Sequence, residues 1–280
     1  MTPDTSDTPL PSAIRLQTRL RELLPAFGVI EWVDSIGSTN ATLIARARDP
    51  SDRHGWPRLL GAHHQTAGQG RLGRQWEDLP GQSLMFSCGL MLRLQADTIK
   101  RLQGLGPAIG VASAETLQQH VRTPQMIKVK WPNDLMVGDG KLAGILVQTS
   151  IKGSDLLVVV GMGLNLRHAQ RLSDRLSRDV AQLSALVDNT IDYANLAAEL
   201  ARSWQQAVHQ CAQSSFQGFQ MPFKALDYLA NQSVNVLEQG VIIDTGQALG
   251  LTPQGCLQIQ TQHGLRTLNV GDVSVRIRTP

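Results

Sequence analysis

The sequence predicts a mixed α/β domain followed by a small all-β domain. Short apolar strand runs alternate with helical patterns as far as about residue 230. From Ser233 the texture changes to strand runs separated by Gly or Asn, and Val273, Val275 and Ile277 alternate cleanly. With 280 residues, 42% of them apolar, the chain has length for one large and one small domain. The boundaries expected are a disordered tail at 1–11, a main domain at 12–230, and a barrel-like domain at 231–280 that leans on its neighbour.

Composition narrows the function classes. The 26 basic and 23 acidic residues leave a net charge of +3, too mild to argue for a nucleic-acid partner. Cys88, Cys211 and Cys256 are widely spaced and no His stands at zinc-ligand spacing, so neither a disulfide framework nor a metal cluster is indicated, and a reducing cytoplasm is expected. The N-terminal segment is polar, and no apolar run approaches the roughly 18 residues of a membrane span.

Taken in order, Ser12 can cap a short helix with Ile14, Leu16, Leu20, Leu23 and Leu24 as its apolar stripe, closed by Pro25. A strand is expected over Val29 to Ile36. Ser38, Thr39 and Asn40 then open a helical pattern, where free N–H groups and hydroxyls serve either as a cap or as partners for a polar ligand. Arg58 to Gln65 reads as a strand running into a glycine loop. Gly68, Gly70 and Gly73 match a dinucleotide fingerprint by spacing, but Trp76, Pro80 and Gly81 interrupt any following helix, so that reading is rejected. What remains is a loop whose backbone and whose Arg71 and Arg74 suit an anion. His63 and His64 face opposite ways on a strand and are read as structural.

Ser83 to Leu92 is an apolar strand, and Asp97 to Val121 is expected to be helical. Asp155 to Leu166 reads as a buried strand ending in Gly161, Gly163 and Asn165, where glycines mark a bulge or a ligand's approach and Asn165 is a candidate for a base or ribose contact. Residues 169–230 alternate helical patterns with breaks, clearest at Tyr193 to His209. Between these lies Ile127 to Gln148, with three of the chain's six lysines. Its pattern predicts a hairpin turning at Gly138, Asp139 and Gly140. Lys128 and Lys130 share a face, and Lys141 begins the return strand near Asn133 and Asp134. Trp131, Pro132, Asn133 and Asp134 directly after the lysines argue against a merely solvated face. No Walker A or kinase catalytic-loop pattern is present.

The Lys130 to Leu135 and Lys141 to Leu146 stretches, the Ser38 to Asn40 helix start and the Gly68 to Trp76 loop together resemble the biotin protein ligase family, over roughly Val29 to Leu166. The resemblance implies a class II synthetase-like catalytic domain with an SH3-like C-terminal domain. It implies ATP-dependent, magnesium-assisted attachment of biotin to one lysine of the biotin carboxyl carrier protein of acetyl-CoA carboxylase. It places Ser38, Thr39, Asn40, Gln65, Gly68 and Gly144 with biotin, Arg71 and Lys141 at the biotin carboxylate and α-phosphate, and Gly70, Arg74, Trp76, Lys130, Asn133 and Asn165 with the nucleotide. Asp134 is the candidate to orient or deprotonate the incoming lysine, and Arg71, Lys128 or Lys130, and Lys141 the candidates to stabilise charge in the adenylating step. Gln69 stands where the family usually has arginine.

Lipoate and octanoate enzymes share the expected catalytic fold, but the KWPND and GRQW stretches resemble the biotin branch. A repressor with an N-terminal DNA reader is disfavoured, because one short helix before Val29 cannot build three. A non-catalytic binding protein would follow if Gln69 disabled the loop. The resemblance leaves room for a homodimer through sheet edges and implies no nucleic-acid or membrane partner.

Overall fold

The computed structural model describes residues 9–49, 52, 54–188, 190–271 and 273–278. The first part contains α1 (Ala13–Leu23), β1 (Val29–Ile36), α2 (Thr39–Arg48), β2 (Arg58–Gln65), β3 (Ser83–Arg93), α3 (Thr98–Arg101) and α4 (Leu105–Gln118). There follow β4 (Ile127–Lys130), β5 (Asp134–Val137), β6 (Gly140–Lys152), β7 (Asp155–Asn165), α5 (Ala169–Leu176), α6 (Tyr193–Ser214) and α7 (Gln220–Leu226). The C-terminal part is all strand: β8 (Ser233–Glu238), β9 (Val241–Leu251), β10 (Leu257–Thr261), β11 (Gly264–Leu268) and β12 (Ser274–Ile277).

β1 to β7 form one sheet in the order β1-β2-β3-β7-β6-β5-β4. Only β1 and β2 run parallel, so the sheet is mixed. Side-chain alternation along the central strand β7 divides the molecule. Leu156, Val158, Val160, Met162 and Leu164 enter the main core with Leu16 and Leu20 of α1, Ile109 of α4 and Trp204 of α6. Leu157 and Val159 point the other way and pack with Leu43 and Ala47 of α2. In the main core Phe86 stacks on Trp204 with centroids 4.7 Å apart, and the Trp204 indole N–H donates to Ser113 Oγ at 2.8 Å. The aromatic pair is buried and the polar atom is satisfied.

Four expectations are corrected. Ser12 precedes α1 without a side-chain capping bond. Ile14 is exposed, because two helical residues before Leu16 place it nearly opposite the buried stripe. Asp97 to Val121 is not one helix: a 3-10 turn at Leu102–Gly104 separates α3 from α4. The Ile127 to Gln148 stretch is a three-stranded meander rather than one hairpin. The Trp131 to Asn133 turn reverses the chain between β4 and β5, and Gly138 and Asp139 reverse it again before β6. Pro132 falls in a turn, where its missing N–H withdraws no ladder bond. The expected tail falls mostly on residues 1–8, outside the described ones. Order begins before residue 12: Leu10 is buried, and Pro11 offers its carbonyl to His63 Nε2 at 2.9 Å.

The second sheet is antiparallel in the order β11-β10-β9-β8-β12. It docks on the first turn of the meander. The buried Trp131 donates its indole N–H to the Gly255 carbonyl at 3.0 Å, and the Tyr228 N–H donates to Val129 at 3.0 Å. The side chain of Gly104 is missing where a Cβ would lie 2.7 Å from the Gln254 carbonyl oxygen. Among the described residues no helix is long and apolar enough to cross a membrane.

Asp227 lies at this junction, bridged to Val129 and accepting the Leu229 N–H at 2.9 Å. Burial pushes its carboxyl up to about 6, against the opposing pull of that hydrogen bond and of Lys128. Between pH 3.8 and 6 the unfolded chain has released a proton that the folded chain still holds, so folding stability falls as pH rises through that window. Asp227→Asn keeps an acceptor for the Leu229 N–H and removes the buried charge. It should stabilise the protein at pH 8 by up to about 3 kcal/mol and leave it unchanged near pH 4, read by urea melts at both values.

Candidate active site

The site lies on the face of β7 opposite the main core, where the side chains stop. Beyond Leu157 and Val159 the same face carries Gly161 and Gly163, flanked in register by Ser87 and Met85 of β3 and by Leu146 and Gly144 of β6. These glycines lie inside the strand, not in a terminal turn. A Cβ on Gly161 would lie 2.0 Å from Asn40 Oδ1, and one on Gly163 would lie 2.3 Å from the Trp76 ring. The sheet is bared so that a helix start and an indole can lie on it. The cavity above has a volume of about 540 Å³, in the range of small-molecule sites.

One end of the cavity is neutral and fully hydrogen-bonded. Ser38 caps α2 through Ala41 N–H, fixing the two residues that follow. Thr39 N–H donates to Gln65 Oε1 at 2.8 Å, and Thr39 Oγ1 and Ser87 Oγ are 2.6 Å apart. Ser87 donates to Asn40 Oδ1 at 2.6 Å, while Asn40 Nδ2 donates to Gln148 Oε1 at 2.9 Å. Ser38, Thr39, Asn40 and Gln65 therefore converge as expected. Ser87 is a lining residue that sequence reading missed, although it is a lone hydroxyl in the apolar run from Leu84 to Leu92.

The other end is cationic. Lys141 Nζ pairs with Asp134 Oδ1 at 2.6 Å and stands 5.5 Å over the Trp76 ring. Asn133 donates to the Ile145 carbonyl at 2.6 Å and accepts from Arg71 at 3.3 Å. A second Arg71 nitrogen donates to the Val273 carbonyl at 3.4 Å, and Arg74 donates to Ser274 Oγ at 3.4 Å. The glycine loop thus bridges the meander and β12. Lys130 lines the cavity with its ammonium 5.9 Å from the Tyr228 ring centre, whereas Lys128 turns away and donates to the Ala225 carbonyl at 2.9 Å. Burial, above all, lowers the Lys130 pKa, with Asp134 opposing and Lys141, Arg276 and Arg178 adding to it.

Two residues expected at the ligand, Asn165 and Gly68, do not line this cavity, and Gly144 and Gly70, which do, are also engaged within the protein. Asn165 is buried and donates to the Lys141 carbonyl at 3.0 Å, which ties the end of β7 to the start of β6 at Lys141. Gly68 does not line this cavity; its carbonyl accepts the Trp76 N–H at 2.9 Å, closing the base of the loop. Gly144 does line it, and its missing side chain leaves room for the Trp76 indole, which a Cβ would approach to 2.8 Å. Gly70 lines the cavity and donates its N–H to the Arg74 carbonyl at 2.7 Å. His64 holds the far side of the loop through Asp78 at 3.1 Å, whose carboxyl is raised mainly by burial. Sequence reading also missed Leu176 to Asp179 and Ser274 to Arg276, which close two sides of the cavity. Among the described residues no three His, Cys, Asp or Glu side chains could hold a metal ion.

Residues 32–165 match the biotin/lipoate A/B protein ligase family, and residues 230–276 match the biotin protein ligase C-terminal domain. The chain belongs to the biotin protein ligase family. It is 29% identical over 245 residues to the biotin--[acetyl-CoA-carboxylase] ligase of Mycobacterium tuberculosis, covering 87% of this chain and 88% of that one. It is 30% identical over 216 residues to the bifunctional ligase/repressor BirA of Escherichia coli, covering 77% of this chain but only 65% of that longer protein. The fold matches that of the Aquifex aeolicus biotin protein ligase solved with biotin and ATP, with a TM-score of 0.72 at 24% identity, over 90% of this chain and 100% of that one.

Gly163→Ala tests the bared face. The added methyl should displace the Trp76 indole and destabilise the fold by about 1–3 kcal/mol. A tryptophan fluorescence change absent from the same substitution in a Trp76→Phe background reads the displacement. Gly37→Ala, where a Cβ meets nothing within 4 Å, should change neither.

Proposed function

We propose that this ligase activates biotin with ATP to biotinyl-5′-AMP and transfers the biotinyl group to a lysine of the biotin carboxyl carrier protein of acetyl-CoA carboxylase. The observation that carries this reading is the polarity of the cavity. A neutral, hydrogen-bonding end at Thr39, Asn40, Gln65 and Ser87 suits an uncharged ureido head, and a cationic end at Lys141, Arg71 and Lys130 suits a carboxylate meeting phosphates.

In the first step a biotin carboxylate oxygen attacks the α-phosphorus, the bond to the β-phosphate breaks, and pyrophosphate leaves with the electron pair. Lys141, Arg71 and Lys130 stabilise the accumulating negative charge, and magnesium accompanies the ATP phosphates as their counter-ion. In the second step the carrier lysine attacks the acyl carbonyl and AMP leaves. That lysine, with an ordinary pKa near ~10.4, must lose a proton. Asp134 is assigned to orient it, since its pairing with Lys141 holds a carboxylate at the point where loop and meander meet. Trp76 forms an aromatic wall beside Lys141, and Arg74 fixes the loop to β12. The reducing cytoplasm is the proposed compartment. A homodimer through the free β1 edge of the large sheet is part of the same reading, and sedimentation velocity reads it.

The test is ATP-dependent gain of one biotinyl group on a carrier domain, followed by mass spectrometry. Gain with lipoate in place of biotin would overturn the choice of acyl group. Lys141→Ala should slow transfer by about a hundredfold or more with little change in melting temperature. Arg71→Gly should in addition release free biotinyl-adenylate, because an open loop admits water and stray nucleophiles. Unchanged transfer in either variant removes that residue from the scheme.

A further inference from the structure

The cations around the cavity divide by what already holds them. Lys141 is paired with Asp134, Arg71 is held by Asn133 and the Val273 carbonyl, and Arg74 by Ser274. Lys130, Arg178 and Arg276 line the same cavity with no carboxylate partner within ion-pair range among the described residues. The glycine loop contributes the neutral Gln69 on its own side. The lining carboxylates Asp134, Asp139 and Asp179 are outnumbered by the cations, and Asp134 is already paired with Lys141. Burial does most to press the Lys130 pKa downward; Asp134 offsets part of the field there, and Lys141, Arg276 and Arg178 add to the downward push. Such a group is relieved by a polyanion.

Arg178 is the best placed of the three because its backbone is held on both sides. The α5 helix ends at Leu176, and Ser177 follows in the left-handed region at φ 48°. Arg175 just before it pairs with Glu77 of the loop segment at 2.8 Å. Just after it, the Val180 N–H donates to Ser173 Oγ at 3.0 Å, the Lys141 N–H donates to the Asp179 carbonyl at 3.1 Å, and the Ala181 N–H donates to the Lys141 carbonyl at 3.0 Å. Residues 177–181 form a strap laid along the start of β6. The close approach requires Gly140, where a Cβ would lie 2.9 Å from Ala181 N. The strap is thus registered against Lys141 itself, while the exposed Arg178 side chain borders the cavity.

We propose that Arg178 binds the β- and γ-phosphates of ATP, supplying from the strap a cation that the neutral Gln69 does not supply from the glycine loop. This rests on the ligase reading. A guanidinium fork matches two phosphate oxygens, and its charge favours departure of pyrophosphate as the bond from the α-phosphorus to the bridging oxygen breaks. The uncharged end of the cavity offers Arg178 no comparable anion.

The full-length protein tests this with two readouts. In biotin transfer, Arg178→Ala should raise the KM for ATP by about tenfold and leave the KM for biotin within about twofold. Arg178→Lys should recover part of the loss, and Gln69→Arg in the Arg178→Ala background should recover most of it. Calorimetry with inorganic pyrophosphate should show binding to the unsubstituted protein and about tenfold weaker binding to Arg178→Ala, whatever the acyl substrate. An unchanged KM for ATP with unchanged pyrophosphate affinity overturns the proposal. So does a joint rise of both KM values with a lowered melting temperature, which marks a structural strap. If the unsubstituted protein transfers no biotin yet loses pyrophosphate binding on Arg178→Ala, the ligase reading fails and the anion site stands.

Discussion

The structure depends on a single constraint in β7: one face must be filled and the other must be bare. Alternate residues Leu156 to Leu164 seal the main core, while Gly161 and Gly163 leave the opposite face without side chains at two consecutive positions. A strand cannot slip by one residue under that condition, because slippage would place the glycines in the core and the large apolar side chains in the cavity. Gly144 of β6 pairs directly with Gly163, so the vacancy extends across two strands. Everything functional is arranged over it. Asn40 reaches down onto Gly161, Trp76 lies on Gly163 and Gly144, and Lys141 stands against the indole.

The two ends of the cavity solve different electrostatic problems. At the neutral end, the hydroxyls of Thr39 and Ser87 and the amides of Asn40 and Gln65 satisfy one another, so no buried donor is left expensive and the geometry is stiff. At the other end, Lys141 and Asp134 form an ion pair in a partly buried site, while Lys130 faces Lys141, Arg276 and Arg178 with only Asp134 opposing them. A neutral network positions a neutral group without needing to reorganise. An unbalanced cationic cluster favours a negatively charged ligand through the relief of its own repulsion.

Much of this was legible in the sequence, and the remainder was hidden for identifiable reasons. β1, β2, β3 and β7 follow from apolar runs bounded by polar residues, and the cap at Ser38 follows from the residues themselves. The hydrogen bond from Asn165 to the Lys141 carbonyl was hidden because an amide beside glycines looks the same in sequence whatever it faces; only register shows that partner. The meander was misread because Pro132 and Asn133 make a turn without glycine, so the single glycine-rich reversal at Gly138 dominated the pattern. Leu176 to Asp179 and Ser274 to Arg276 carry no local signal at all. They become lining residues through long-range contacts, with Lys141 in one case and with the glycine loop in the other.

Those long-range contacts explain why a small β-domain accompanies the large one. Arg71 and Arg74 belong to a loop that has few apolar anchors of its own, and Leu72 at its tip is exposed. Loop closure therefore depends on polar contacts at its far side, and these are made to Val273 and Ser274 of the C-terminal sheet. That sheet is in turn held to the Trp131 turn by a buried hydrogen bond to Gly255. The turn that precedes Asn133 and Asp134 and the strand that receives the glycine loop are thus parts of one mechanical circuit. A reactive acyl phosphate needs shelter from water until the correct nucleophile arrives, and a lid supported by a second domain provides shelter that a short glycine loop alone does not.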